Sequence, residues 1–161
     1  MLHSFYWRPQ IKKFALVTPA VSIHEIGRAG PFVNITINRI RGGFAGFETR
    51  ALIDTGSSII CISERIAQQV GLRRFDRAAV GVVGGQTVDC HVYGGRIIVP
   101  DIKFDEVIKL YAPIRGPQRS QTVILGRTFL RYCIMNYDGP KGALYLEHGT
   151  RRFELQEDWD G

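Results

Sequence analysis

The sequence predicts an all-β domain, and three features carry that reading. Eighteen glycines and seven prolines in 161 residues call for many tight turns between short elements. Phe32-Val33-Asn34-Ile35-Thr36-Ile37 alternates so that Val33, Ile35 and Ile37 share one face of a strand. Two apolar strands, Leu52-Ile53 and Val123-Ile124-Leu125, each run into a glycine turn, Asp54-Thr55-Gly56 and Gly126, and hairpin strands precede both. The chain therefore reads as internally two-fold, with an acid in the first copy only.

Taken in order, residues 1–28 contain Pro9 and Pro19 and sustain no period, which favours an extended arm over a packed helix. The domain proper is expected over 29–148, followed by a polar tail over 149–161. After the first strand, Arg41-Gly42-Gly43 and Gly46 mark a hairpin turn, and Phe47 to Ile53 returns as a strand that ends at Asp54. Ser63 is an N-cap for a short helix over Glu64 to Val70, with Gly71 as its stop. Val80 to Val88 reads as a hairpin with a glycine tip at Gly84-Gly85. Arg96 to Val99 and Phe104 to Tyr111 read as further strands, and Thr128 to Tyr132 as a helical turn. Asp138-Gly139-Pro140-Lys141-Gly142 joins the last two strands, Ile134 to Tyr137 and Ala143 to Glu147, so Asp138 serves a turn rather than chemistry.

Composition narrows the function. A length of 161 residues suits one domain, and 45% hydrophobic with 22% charged residues is the balance of a soluble globular protein. The net charge of +6 is spread from Arg8 to Arg152 without a dense basic run, and stacking motifs and a recognition helix are missing; basicity reads as solubility, not nucleic-acid binding. Phe14 to Val17, bounded by Lys12 and Lys13, is too short for a signal core or a membrane span, so a cytoplasmic protein without membrane contact is expected. Cys61, Cys90 and Cys133 lie far apart, and His3, His24, His91 and His148 lack ligand spacing, so reduced thiols and no metal or cofactor are expected. Neither a nucleophile motif nor a phosphate-loop lysine is present.

An Asp-Thr-Gly triplet alone is common in surface turns. Here it follows Ala51-Leu52-Ile53, precedes Ser57-Ser58-Ile59-Ile60, and is matched downstream by Val123-Ile124-Leu125-Gly126-Arg127. Together these resemble the retropepsin-like aspartic proteases, single-lobed relatives of the pepsin type, over about Phe32 to Glu147. The resemblance implies an acid-protease, closed β-barrel-like fold with one or two short helices and an active site at a homodimer interface. It implies that Asp54 from each of two chains forms the catalytic pair, since peptide hydrolysis without a covalent intermediate needs a carboxylate to activate water and a carboxylic acid to protonate the carbonyl. The partners are then a second copy and an extended peptide substrate.

By the same resemblance Thr55 hydrogen-bonds across the dimer axis and Gly56 permits close backbone approach. Ser57 is placed to donate its hydroxyl to the carboxylate, which predicts an acidic optimum. Val82, Val83, Gly84, Gly85 and Gln86 are the expected flap over the substrate, with Ile59, Val82 and Val83 building apolar pockets. Gly126 and Arg127 support the turn. The family's usual acid partner for this arginine is replaced by Ser58, so Arg127 is expected to cap nearby carbonyls or pair elsewhere. The arm before Arg28 lies outside the resemblance and suits a pro-segment or dimer regulator. The rival reading is a catalytically silent dimerisation or peptide-binding module of the same fold; the intact Asp-Thr-Gly-Ser favours the enzyme.

Overall fold

The computed structural model describes residues 16–17, 30–41, 46–82, 84–115 and 123–148. Most of the arm, the tail 149–161, Gly42 and Gly43 of the expected first turn, and Val83 lie outside these residues. The arm enters the description only at β1 (Leu16–Val17), which pairs antiparallel with Leu146 and Tyr145.

Alternation produces the first hairpin. In β2 (Phe32–Asn38) Val33, Ile35 and Ile37 are buried, while the intervening side chains look outward. β3 (Phe47–Ile53) pairs antiparallel with β2, and Ala51 and Ile53 turn into the same core. The short β4 (Ile60–Cys61) leads to α1 (Glu64–Val70), whose first turn is capped by the Ser63 hydroxyl accepting from the Ile66 N–H at 3.2 Å. Ile66 and Ala67 are its buried face.

Next come β5 (Arg73–Gly81), β6 (Thr87–Val99), a 3-10 turn at Pro100–Ile102, β7 (Phe104–Pro113) and β8 (Val123–Leu125). α2 (Arg127–Leu130) follows, and β9 (Cys133–Asp138) with β10 (Ala143–His148) makes the last hairpin. Two of these elements exceed the sequence reading. β6 runs unbroken through Gly94-Gly95, and β5 occupies a stretch, Arg73-Arg74-Phe75-Asp76-Arg77, that alternates with nothing because it is exposed on both faces.

The larger sheet has the order β2-β3-β8-β4-β7-β6-β5, and β2 also pairs with β6. That extra pairing closes six strands into a barrel and leaves β5 outside the ring, held only by β6. The barrel is mixed: β3–β8 and β4–β7 are parallel, the other pairs antiparallel. One apolar core fills it, where Phe104 and Phe129 meet edge to face with centroids 4.9 Å apart. Among the described residues no helix is long and apolar enough to cross a membrane.

Candidate active site

Asp54 stands where β3 leaves the barrel, and its position is fixed from the neighbouring strand. β3 and β8 pair in parallel with Ala51, Leu52 and Ile53 opposite Val123, Ile124 and Leu125, and the Asp54 N–H extends the ladder to Leu125 O at 3.1 Å. The two strand-then-glycine segments noticed in the sequence are therefore side by side. Their turns interlock through backbone: Gly126 N–H donates to Ile59 O (3.1 Å), Arg127 N–H to Ser57 O (2.8 Å) and Thr128 N–H to Ser58 O (3.2 Å). The Thr128 hydroxyl adds a second bond to Ser58 O at 2.6 Å.

This contact has no room for a side chain on the second turn. A Cβ on Gly126 would lie 2.3 Å from Ile59 O and 2.5 Å from Ser57 O. Arg127 completes the lock from outside, its Nη1 donating to Thr55 O at 2.8 Å and Gly56 O at 3.2 Å. With Ser58 in place of an acid, the guanidinium caps the carbonyls of the Asp54 turn directly, one of the roles the sequence left open for it. A guanidinium in this role serves well because Nη1 carries two N–H groups held in one plane, one for each carbonyl.

The Asp54 carboxylate accepts the Gly56 N–H at 2.8 Å, and its residue is half-buried, while Thr55 and Gly56 are exposed. Ser57 departs from expectation. Its hydroxyl donates its one proton to Ile59 O at 3.1 Å, beside the Gly126 N–H on the same carbonyl, rather than to the carboxylate. An acidic optimum argued from Ser57 loses its basis.

The register also assembles a surface that the sequence reading missed. Leu52 is opposite Ile124, Ile124 opposite Cys61, and Cys61 opposite Tyr111. Directly opposed residues share a face, and the alternating neighbours, Ile53, Leu125, Ile60 and Leu110 among them, fill the core. Leu52, Ile124, Cys61 and Tyr111 thus form a half-buried apolar row on the outer face, starting two residues before Asp54. The signal was in the sequence as an uninterrupted apolar run on each side of the turns; only pairing reveals which members face out. Burial, reinforced by the nearby Cys90, pushes the Cys61 thiol up to about 11.

Val82, Gly84, Gly85 and Gln86 form the tip of the β5–β6 hairpin, closed by Val82 N–H to Gln86 O at 2.9 Å. Gly84 and Gly85 have φ of +92° and +75°, the left-handed region where glycine is favoured. All four are exposed, so the expected hairpin is present at that place. Ile59 is half-buried within the interlocked turn rather than beside the tip residues in sequence. No group of three or more His, Cys, Asp or Glu side chains that could hold a metal ion occurs among the described residues.

A sequence profile of the gag-polyprotein putative aspartyl protease family matches residues 40–132, which include both interlocked turns and the hairpin between them. No curated protein sequence matches the chain. Among solved structures, a retropepsin-like aspartic protease from Rickettsia conorii is similar at 18% identity and TM-score 0.48, over 71% of this chain and 80% of that one. The EIAV protease complexed with the inhibitor HBY-793 gives 18% identity and TM-score 0.46, over 63% and 85%. The protease of simian foamy virus (mac) gives 15% and 0.42, over 63% and 93%.

Proposed function

Since the chain belongs to the gag-polyprotein putative aspartyl protease family, a retropepsin-like group, we propose that it is an aspartic endopeptidase whose catalytic carboxylates are Asp54 of two copies. The observation that carries the proposal is the interlock of the Asp54-Thr55-Gly56-Ser57 turn with Gly126-Arg127, which fixes one carboxylate at the barrel surface through backbone bonds and the Arg127 guanidinium. The turn holds one acid, and the chemistry needs two.

In the proposed reaction one ionised Asp54 takes a proton from water as the water oxygen attacks the peptide carbonyl carbon. The protonated Asp54 of the second copy gives its proton to the carbonyl oxygen, forming a neutral gem-diol. Collapse breaks the C–N bond and sends a proton to the leaving nitrogen. Two carboxyls at hydrogen-bond distance do not both ionise readily, so the pair shares one proton and titrates as a unit. Thr55, exposed beside Asp54, is the residue proposed to bond across the two-fold axis. The outer row of Leu52, Ile124, Cys61 and Tyr111 favours apolar substrate side chains, and the Val82 to Gln86 tip is the proposed flap.

Self-association has a candidate surface in β9, an edge strand of its sheet, where Ile134, Met135 and Tyr137 are 51%, 38% and 55% exposed. Residues 1–28 fall outside the matched family segment and are proposed as a segment removed by self-cleavage. Intact-mass comparison of wild type and Asp54→Asn after incubation tests this: an identical N-terminus in both rejects it.

The activity itself is tested by incubating wild type and Asp54→Asn with a diverse peptide library from mildly acidic to neutral pH and reading the cut sites by mass spectrometry. Cleavage by wild type alone, next to apolar residues, is expected. If neither protein cuts at concentrations where a dimer is demonstrated, the peptide-binding module replaces the enzyme.

A further inference from the structure

The outer edge of β5 has no strand partner among the described residues: the sheet order ends there and β6 alone pairs with it. Arg73 to Arg77 are all exposed, and although the Arg77 N–H is taken by Asp76 Oδ1 at 2.8 Å, the edge faces no strand among the described residues. The register shifts between Arg74 and Asp76, and beside this bulge lies a cavity of about 370 Å³ lined by Arg74, Phe75, Asp76, Arg77 and His91.

Charge and apolar surface at the edge are both specific. Arg74 gives Nη1 to His91 Nε2 at 3.0 Å, and Arg77 gives Nη2 to Asp89 at 2.8 Å. Each guanidinium carries five N–H donors, so several remain for a ligand beside the cavity. Phe75 and Ile40, 52% and 49% exposed, lie together over Gly94, where a Cβ would be 3.8 Å from Phe75 Cε1 and 2.7 Å from Ile40 Cδ1. Lys109 Nζ stands 5.9 Å from the Phe75 ring centroid. A second copy joined edge to edge would bring together two edges of like net charge, each with Arg73, Arg74 and Arg77 against Asp76. A nucleic-acid strand would leave the open peptide groups unpaired.

We propose that the outer edge of β5 is a docking surface for an extended acidic peptide segment. The segment adds as a strand, lays a carboxylate on Arg74 and Arg77 on the side of the cavity away from Asp76, and rests an apolar side chain on Phe75 and Ile40. The surface lies at the base of the hairpin whose tip is the proposed flap, and it is tested by binding at residues 73–77, away from that tip.

The experiment uses the full chain carrying Asp54→Asn, so that no probe is consumed, and follows backbone amides by NMR. The probes are an acetylated peptide of alternating glutamate and valine, about ten residues long to match the reach of β5, its lysine-for-glutamate counterpart, and a single-stranded oligothymidylate. The glutamate peptide is expected to shift and protect amides of residues 73–77, with affinity that falls steeply with salt. Arg74→Gln with Arg77→Gln should weaken it by about tenfold or more. Absence of binding by the glutamate peptide, equal binding of the lysine peptide, oligothymidylate binding at the same amides, or shifts confined to the Asp54 turn would each overturn the proposal. The peptide comparison needs no variant of the edge, so it decides the matter even where the double substitution unfolds the chain.

Discussion

The hydrogen on Gly126 is the only substituent its surroundings admit. Gly126→Ala forces a carbon to within 2.5 Å of two carbonyl oxygens, so the two turns must separate. The expected cost is about 2 kcal/mol, in the range of overpacked sites, read as a lower denaturant midpoint at unchanged slope, and accompanied by loss of any Asp54-dependent cleavage. Arg127→Lys keeps the charge but not the rigid planar guanidinium that holds Nη1 between Thr55 O and Gly56 O. It should cost about 1 kcal/mol in stability and reduce kcat by a larger factor than it raises KM, because the residue acts on the turn and not on substrate; equal stability and kinetics for the lysine variant would remove it from this role. Both glycine turns were legible as sequence, whereas the carbonyl cap was one of several roles the sequence left open for Arg127. The direction of the Ser57 hydroxyl was not legible, since a side chain with two acceptors in reach is settled by its rotamer and by the neighbouring strand.

Between α1, β5 and β6 runs a polar chain that ties the hairpin base to the helix. Tyr93 OH donates to Glu64 Oε1, and His91 Nδ1 is 3.2 Å from Glu64 Oε2. A guanidinium can only donate, so the Arg74 contact makes His91 Nε2 an acceptor and puts the ring proton on Nδ1, toward Glu64. Burial first, then the Glu64 hydrogen bond, pushes Tyr93 up to about 12. Cys61 and Cys133 rise to about 11 and about 12, chiefly through burial. All three are raised, so the folded state holds its protons where the unfolded chain releases them. Their contribution is complete below the unfolded values near 9 and 10, and is lost as pH climbs toward 11 and 12. Denaturation midpoints should therefore fall steadily above pH 9, and Tyr93→Phe should flatten that fall between the unperturbed tyrosine value of 10 and about 12; an unchanged alkaline slope in the variant contradicts the assignment. At this scale α1 and the β2–β3 hairpin were readable because caps and alternation are local. β5 was not, because an edge strand solvated on both faces carries no period.

Six of the described strands close into a barrel, which leaves Asp54 half-buried where β3 ends. Closure depends on β2 pairing with both β3 and β6, and no local pattern announces the second pairing. The two strand-then-glycine segments were legible, since Leu52-Ile53 and Val123-Ile124-Leu125 repeat a pattern. Their parallel contact, and the row of Leu52, Ile124, Cys61 and Tyr111 that it creates, required the fold. If β9 carries self-association, Ile134→Lys with Tyr137→Lys should leave the monomer folded and lower its sedimentation coefficient at concentrations where wild type is dimeric. Unaltered sedimentation would move the interface elsewhere.

The most direct test of a shared active site is to mix wild type with Asp54→Asn at fixed total protein, allow subunits to exchange, and follow cleavage of a peptide cut by wild type alone. A pair built from one Asp54 of each copy predicts that activity falls as the square of the wild-type fraction. Activity that falls in simple proportion to that fraction would mean that each chain works alone, contradicting the account.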